Sequence, residues 1–212
     1  MKYNPLLWIA FTWRMKKGLI KYWPAQVVGP LIKQAKPIYK ELLSKVEGVS
    51  DKNPMGSNIT MSFIIISIWL ASNRKLKMEQ MLDVMNIAMD WSILKKFYGK
   101  YDLNTKIGLA RISSMMRKNA DWANAHPEDY RTWDFNFNEE LHKDGFYYHF
   151  TRCPICDFCK QYGYEEITPA LCGIDYATAK LMHAKLIRKE TLAEGGSMCD
   201  YWMVGNKVED PQ

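Results

Sequence analysis

The chain has 212 residues, 48% hydrophobic and 25% charged, so it is long enough to bury its own core; disorder, collagen-like repeats and coiled coil are excluded. The 29 basic and 23 acidic side chains give a net charge of +6. The excess reads as thinly spread, with no block of five or more like charges, which points away from nucleic acid and toward a small anionic or zwitterionic substrate.

At the start, Lys2 followed by the apolar run Leu6–Trp13 mimics a signal peptide, but Arg14, Lys16 and Lys17 stand where a cleavage site should be. Leu6, Leu7, Ile9, Ala10, Trp13, Ile20 and Trp23 instead predict a helix, broken near Gly18 and stopped by Pro24. A second helix is expected over Ala25–Val46, bent at Pro30 or Pro37 and ending in a Gly48–Ser50 turn. Asn53–Asn58 is turn-rich and launches the Ile59–Ser72 segment. Its Ile and Phe content would suit a strand, but its length and helical neighbours favour a buried helix. The apolar stretch is also too short to span a bilayer, which needs roughly 20 residues. Helices over Lys77–Tyr98 and over Asn104–Ala125, capped at Asn104, follow.

After Thr132 the texture changes. Trp133–Asn138 alternates with period 2 and Phe146–Thr151 is rich in β-formers, with Asp144-Gly145 as a hairpin-type turn between them. Short helices are expected over Pro154–Tyr162 and Pro169–His183. Two more strands follow, Lys185–Thr191 and Ser197–Val204, joined through Gly195-Gly196. The prediction is an α+β fold: an N-terminal helical part packed on a C-terminal four-stranded antiparallel sheet with two short helices. No linker composition divides it, so residues 1–130, 131–206 and a 207–212 tail read as one integrated, soluble, cytoplasmic domain without integral membrane insertion. A homo-oligomer is compatible with this reading.

All five cysteines lie beyond residue 150: Cys153, Cys156, Cys159, Cys172 and Cys199. The odd number and the tight spacing fit reduced thiols better than a disulfide framework. Pro154 suits the first position of a helix, which puts Cys153 at the N-cap. There the helix dipole and the adjacent Arg152 favour a thiolate, a recipe for a nucleophile. A small buried residue at a strand end is the plainer reading. Cys156 and Cys159 follow at i+3 steps, so Cys153, Cys156, Cys159 and Cys172 also form a candidate zinc or iron–sulfur set, although neither pattern is complete. Thr168 is the expected N-cap of the next helix, placing Cys172 near the end of the first turn with Asp175 on the same face. Gly195 and Gly196 allow a tight turn or close backbone approach to a ligand. His149 is a possible base beside the cysteines.

Three blocks carry a family resemblance: Thr151-Arg-Cys-Pro, Cys172-x-x-Asp175, and Leu192-Ala-Glu-Gly-Gly-x-x-Cys-Asp200. In this order and spacing the chain resembles the L-2-amino-thiazoline-4-carboxylic acid hydrolase family, and Gly56 and Asn58 before an apolar helix resemble its middle region. The resemblance implies a small soluble bacterial hydrolase that opens a thiazoline ring to an N-carbamoyl cysteine, with no cofactor. It implies thiol catalysis by Cys153 or Cys172 with Asp175 on the amidine-like nitrogens. Arg152 or Arg188 would take the carboxylate, and Asn58, Gly195, Gly196, Cys199 and Asp200 would line the substrate. Cys156 and Cys159 are additions to the family's pattern. Two other readings stand beside it. One is a metal- or small-ligand-binding module, since the Gly-rich turn and Cys-aromatic strand are similar to vinyl-reductase-type ligand-binding domains. The other is a membrane-surface protein using Trp8, Phe11 and Trp13; packing of that helix on the domain or a second subunit is preferred.

Overall fold

A computed structural model describes residues 1–46, 50–129 and 131–212. Helix α1 (Pro5–Leu19) starts where Asn4 accepts the backbone N–H groups of Leu6 and Leu7 at 3.0 and 3.1 Å, with Pro5 in the first turn. Helix α2 (Ala25–Ser44) runs continuously through Pro30 and Pro37. Each proline removes one backbone donor, and both are exposed, so the freed carbonyl side has access to water. The expected Gly48–Ser50 turn falls, apart from Ser50, outside the described residues. Asn53 then turns the chain by accepting the Met55 N–H at 2.9 Å.

Helix α3 (Gly56–Ala71) confirms the helical reading of the Ile/Phe-rich segment. Phe63, Ile64, Ile65, Ile66, Ile68 and Trp69 are all buried, as befits a helix surrounded by protein. Two of its buried hydroxyls are satisfied by helix carbonyls: Thr60 donates to Ser57 at 2.9 Å and Ser67 to Ile64 at 2.7 Å.

The single helix expected over Lys77–Tyr98 is two, α4 (Met78–Met89) and α5 (Ser92–Gly99). Asp90 and Trp91 leave helical geometry, and Arg14 of α1 donates to the carbonyls of Ile87, Ala88 and Asp90. A cation arriving from another helix thus caps the end of α4. Helix α6 (Lys106–Ala125) is capped by Thr105, not Asn104; the Thr105 hydroxyl accepts the Gly108 N–H at 3.0 Å. Asn104 instead bridges to the C-terminal part, donating to the His183 carbonyl and to Asn206.

Four antiparallel strands complete the α+β fold: β1 (Asp134–Asn136), β2 (Phe146–Arg152), β3 (Ala184–Ile187) and β4 (Cys199–Gly205), in the order β1-β2-β4-β3. Asp144-Gly145 is not a two-residue hairpin. Residues 137–145 separate β1 from β2, and Gly145 enters β2 at φ +80°, where an added Cβ would meet the Met203 carbonyl. Pairing of Phe150 with Cys199 and of Tyr148 with Tyr201 puts these four on one sheet face; His149 and Asp200 fall on the other. Helix α7 (Pro154–Tyr162) carries Cys156 and Cys159, with Cys153 just before it, α8 (Thr168–Leu181) carries Cys172, and one buried core runs from α1 to the sheet.

Candidate active site

Cys153 is the N-cap of α7, as its place before Pro154 predicts, but its side chain makes no capping bond and is buried. Thr168 is not the cap of α8. A 3-10 turn over Glu165–Ile167 runs directly into that helix, so Thr168 already has helical torsions of −61° and −40°. Cys172 still ends the first turn, facing β4.

Three elements bring four thiols together. Cys156 meets Cys153 on one side and Cys172 on the other, and Cys172 meets Cys199. Cys199 in turn accepts the Leu192 N–H at 3.2 Å. The contact with Cys153, with burial, pushes the Cys156 thiol up; the contact with Cys156, burial and the Asp175 carboxylate do the same to Cys172. Cys199 is raised by Cys172 and by burial. Cys159 stands apart from this row, and burial pushes it up to about 11. The thiols form a line rather than a cage. Among the described residues no group of three or more cysteines, histidines, aspartates or glutamates is placed to hold a metal ion.

Raised thiols have a consequence for stability. In the unfolded chain a cysteine ionises near pH 8.5, whereas folding keeps Cys156, Cys159, Cys172 and Cys199 protonated well above that. A folded pKa above the unfolded one gives stabilisation that is complete below about pH 8.5 and is lost as pH rises, by up to about 1.4 kcal/mol per pH unit for each thiol. Urea melts should therefore show stability level from pH 7 to about 8.5 and falling steeply toward pH 10, before tyrosines ionise. A flat profile to pH 10 contradicts the buried-thiol geometry.

Next to the thiols is a buried cation. Arg188 follows β3, and its side chain is 3% exposed. Its three nitrogens donate to the Asp200 carbonyl at 3.0 Å, the Cys172 carbonyl at 3.2 Å and Asp175 Oδ2 at 2.9 Å. Tyr201 donates to the same Oδ2 at 2.8 Å, and its ring lies 4.2 Å from the guanidinium carbon. Burial and the Asp175 carboxylate push the Tyr201 phenol well up, so it remains a donor. Arg188 thus staples α8 to β3 and β4.

Against this staple opens a small cleft of about 120 Å³. Cys172, Gly173 and Tyr176 of α8 form one wall; Arg188, Lys189, Glu190 and Glu194 form the other. The loop after β3 is firmly built. Asp200 accepts the N–H groups of Lys189 and Glu190 at 3.0 Å, and Glu190 accepts the Ser197 N–H at 2.7 Å. Gly195 takes φ +86°, and an added Cβ at Gly196 would collide with Glu190.

A family model described as L-2-amino-thiazoline-4-carboxylic acid hydrolase matches residues 58–203. The chain belongs to that hydrolase family. No curated protein and no solved structure matches it. The C-terminal blocks that carry the resemblance, distant in sequence, meet at the thiol row, the staple and the cleft. Cys172, Arg188 and Cys199 are brought together, with Asp175 behind Arg188 rather than in the cleft wall. Arg152 is exposed and donates to Thr132 at 3.0 Å. Asn58 is half-buried in the first turn of α3, and His149 is on the sheet face opposite Cys199. Lys189 and Glu190 lie outside every motif of the sequence, because charged residues in a loop carry no spacing signal; Glu194 belongs to the block Leu192-Ala-Glu-Gly-Gly. None of the helices among the described residues is long and apolar enough to cross a membrane.

Proposed function

We propose that the protein hydrolyses a small cyclic amidine or isothiourea-like carboxylate, opening a C–S or C–N bond with Cys172 as nucleophile. The observation that carries this is that Cys172 is the one thiol on the wall of a cleft holding both cations and carboxylates. A zwitterionic substrate fits such a wall: its carboxylate to exposed Lys189, its amidine-like nitrogens to Glu190 or Glu194. This differs from the pairing with Asp175 that the sequence suggests, because Asp175 is engaged by Arg188 and Tyr201.

Cys172 is held protonated by its neighbours, so attack needs a proton acceptor, and a basic amidine nitrogen is one. The sulfur adds to the carbon between N and S while that nitrogen takes the thiol proton. Collapse breaks the ring C–S bond, leaving an isothiourea on Cys172 and a free thiol on the substrate. Water then adds to the same carbon and expels the Cys172 sulfur, which recovers its proton. The product is an N-carbamoyl thiol, and water is the only other reactant.

The experiment is a turnover assay with 2-amino-thiazoline-4-carboxylate, reading thiol release and the mass of the carbamoyl product. One thiol per product is expected. Lys189→Ala should raise KM by about tenfold with a smaller change in kcat, as for loss of uniform binding. No turnover of this or of related cyclic amidine carboxylates, or a Lys189→Ala effect confined to kcat, counts against the reading.

A further inference from the structure

Helix α1 is apolar on two opposite sides. Trp8, Phe11, Met15 and Leu19 pack into the core. On the outer side Leu6, Ile9, Trp13 and Ile20 are 77, 62, 63 and 45% exposed, at spacings that align them in one stripe. Of the aromatic residues expected to face a membrane, Trp8 and Phe11 are therefore core residues and only Trp13 is outside. Scattered exposed apolar residues are ordinary, but an aligned stripe is not. Arg14 lies 5.6 Å from the Trp13 ring and 5.8 Å from that of Trp91, where α5 begins with Ile93 and Phe97 also exposed.

The charge is not thinly spread, contrary to the first reading of the sequence. Residues 1–40 hold eight lysines and arginines and no aspartate or glutamate; the remaining 172 hold 21 basic and 23 acidic side chains. Lys21 is paired with Asp83, but Lys16 and Lys17 are exposed on either flank of the apolar stripe. Lys36 and Lys40 of α2 gather over the Tyr3 ring, just before α1.

We propose that this face docks on an anionic lipid bilayer, with α1 lying in the plane of the interface. The stripe would enter the boundary between headgroups and acyl chains, and the flanking lysines would meet the headgroup anions. Tryptophan beside lysine is suited to that boundary. A second copy of the chain is a poorer occupant. A two-fold contact of this face with itself would set Lys16 and Lys17 against their own copies, while the nearby carboxylates of Asp83 and Asp90 are engaged by Lys21 and Lys95. The surface is independent of the cleft and its chemistry.

The test is co-sedimentation of the full chain with vesicles of phosphatidylcholine alone or with about 30% phosphatidylglycerol. Binding to the anionic vesicles should be at least about tenfold stronger and should weaken with added salt. Trp13→Glu, and separately Lys16→Glu with Lys17→Glu, should each reduce it about tenfold with an unchanged thermal melt. Equal binding to both vesicle types, or no effect of Trp13→Glu, overturns the proposal. So does a concentration-dependent dimer that Trp13→Glu dissolves, which would assign the face to a second copy.

Discussion

Cys172→Ala should fold normally and lose at least about three orders of magnitude in turnover, the scale of a deleted nucleophile. Removing a small, half-buried sulfur beside the cleft leaves little cavity, so the melting temperature should change by only a few degrees, equivalent to roughly 1 kcal/mol. Cys153→Ala is the decisive companion. By sequence Cys153 is the better nucleophile, at a helix N-cap beside Arg152. In the fold it is buried behind Cys156, outside the cleft wall, and Arg152 turns away to Thr132. Cys153→Ala should therefore keep most of the turnover. The reverse pattern would return the nucleophile to Cys153.

The second large effect is on stability. Arg188→Met removes a guanidinium that is almost fully buried and leaves Asp175 and Tyr201 without their cation. Breaking one side of a buried pair costs about 3–5 kcal/mol, and the lower end applies because Asp175 retains access to water. For a chain of this size that corresponds to roughly 6–12 °C in Tm. Arg188→Lys keeps the charge but not the fork that reaches Asp200, Cys172 and Asp175 together, so an intermediate loss is expected. Were both variants to melt with the wild type, the staple would contribute nothing to stability.

Much of this was legible in the sequence where the signal is local. Pro154 announced α7 with Cys153 at its N-cap, and the apolar density of α3 with helical neighbours gave its helix. Period-2 alternation marked β1 and β-former content marked β2, although β1 and β3 are shorter than the expected Trp133–Asn138 and Lys185–Thr191. Features decided by distant partners were not legible. The break after Met89 depends on Arg14, whose guanidinium lies more than seventy residues away in sequence. The cap of α6 passed from Asn104 to Thr105 because Asn104 serves His183 and Asn206. Spacing offers Cys153, Cys156 and Cys159 with the remote Cys172 as an alternative metal set. Their arrangement depends instead on Cys172 and Cys199 arriving from α8 and β4, which extends the thiols into a row and leaves Cys159 aside. Lys189, Glu190 and Glu194 become site residues only once the loop after β3 folds over Cys172.

The central claim is that Cys172 is the thiol presented to an amidine-bearing substrate. Its most direct test is alkylation of the folded protein by 2-chloroacetamidine, an electrophile carrying the amidinium group, with peptide mass spectrometry locating the modified cysteine. Cys172 should be modified first among the five cysteines, and saturating 2-amino-thiazoline-4-carboxylate should protect it. First modification at Cys153, or labelling of Cys172 that the substrate leaves unchanged, would contradict the account.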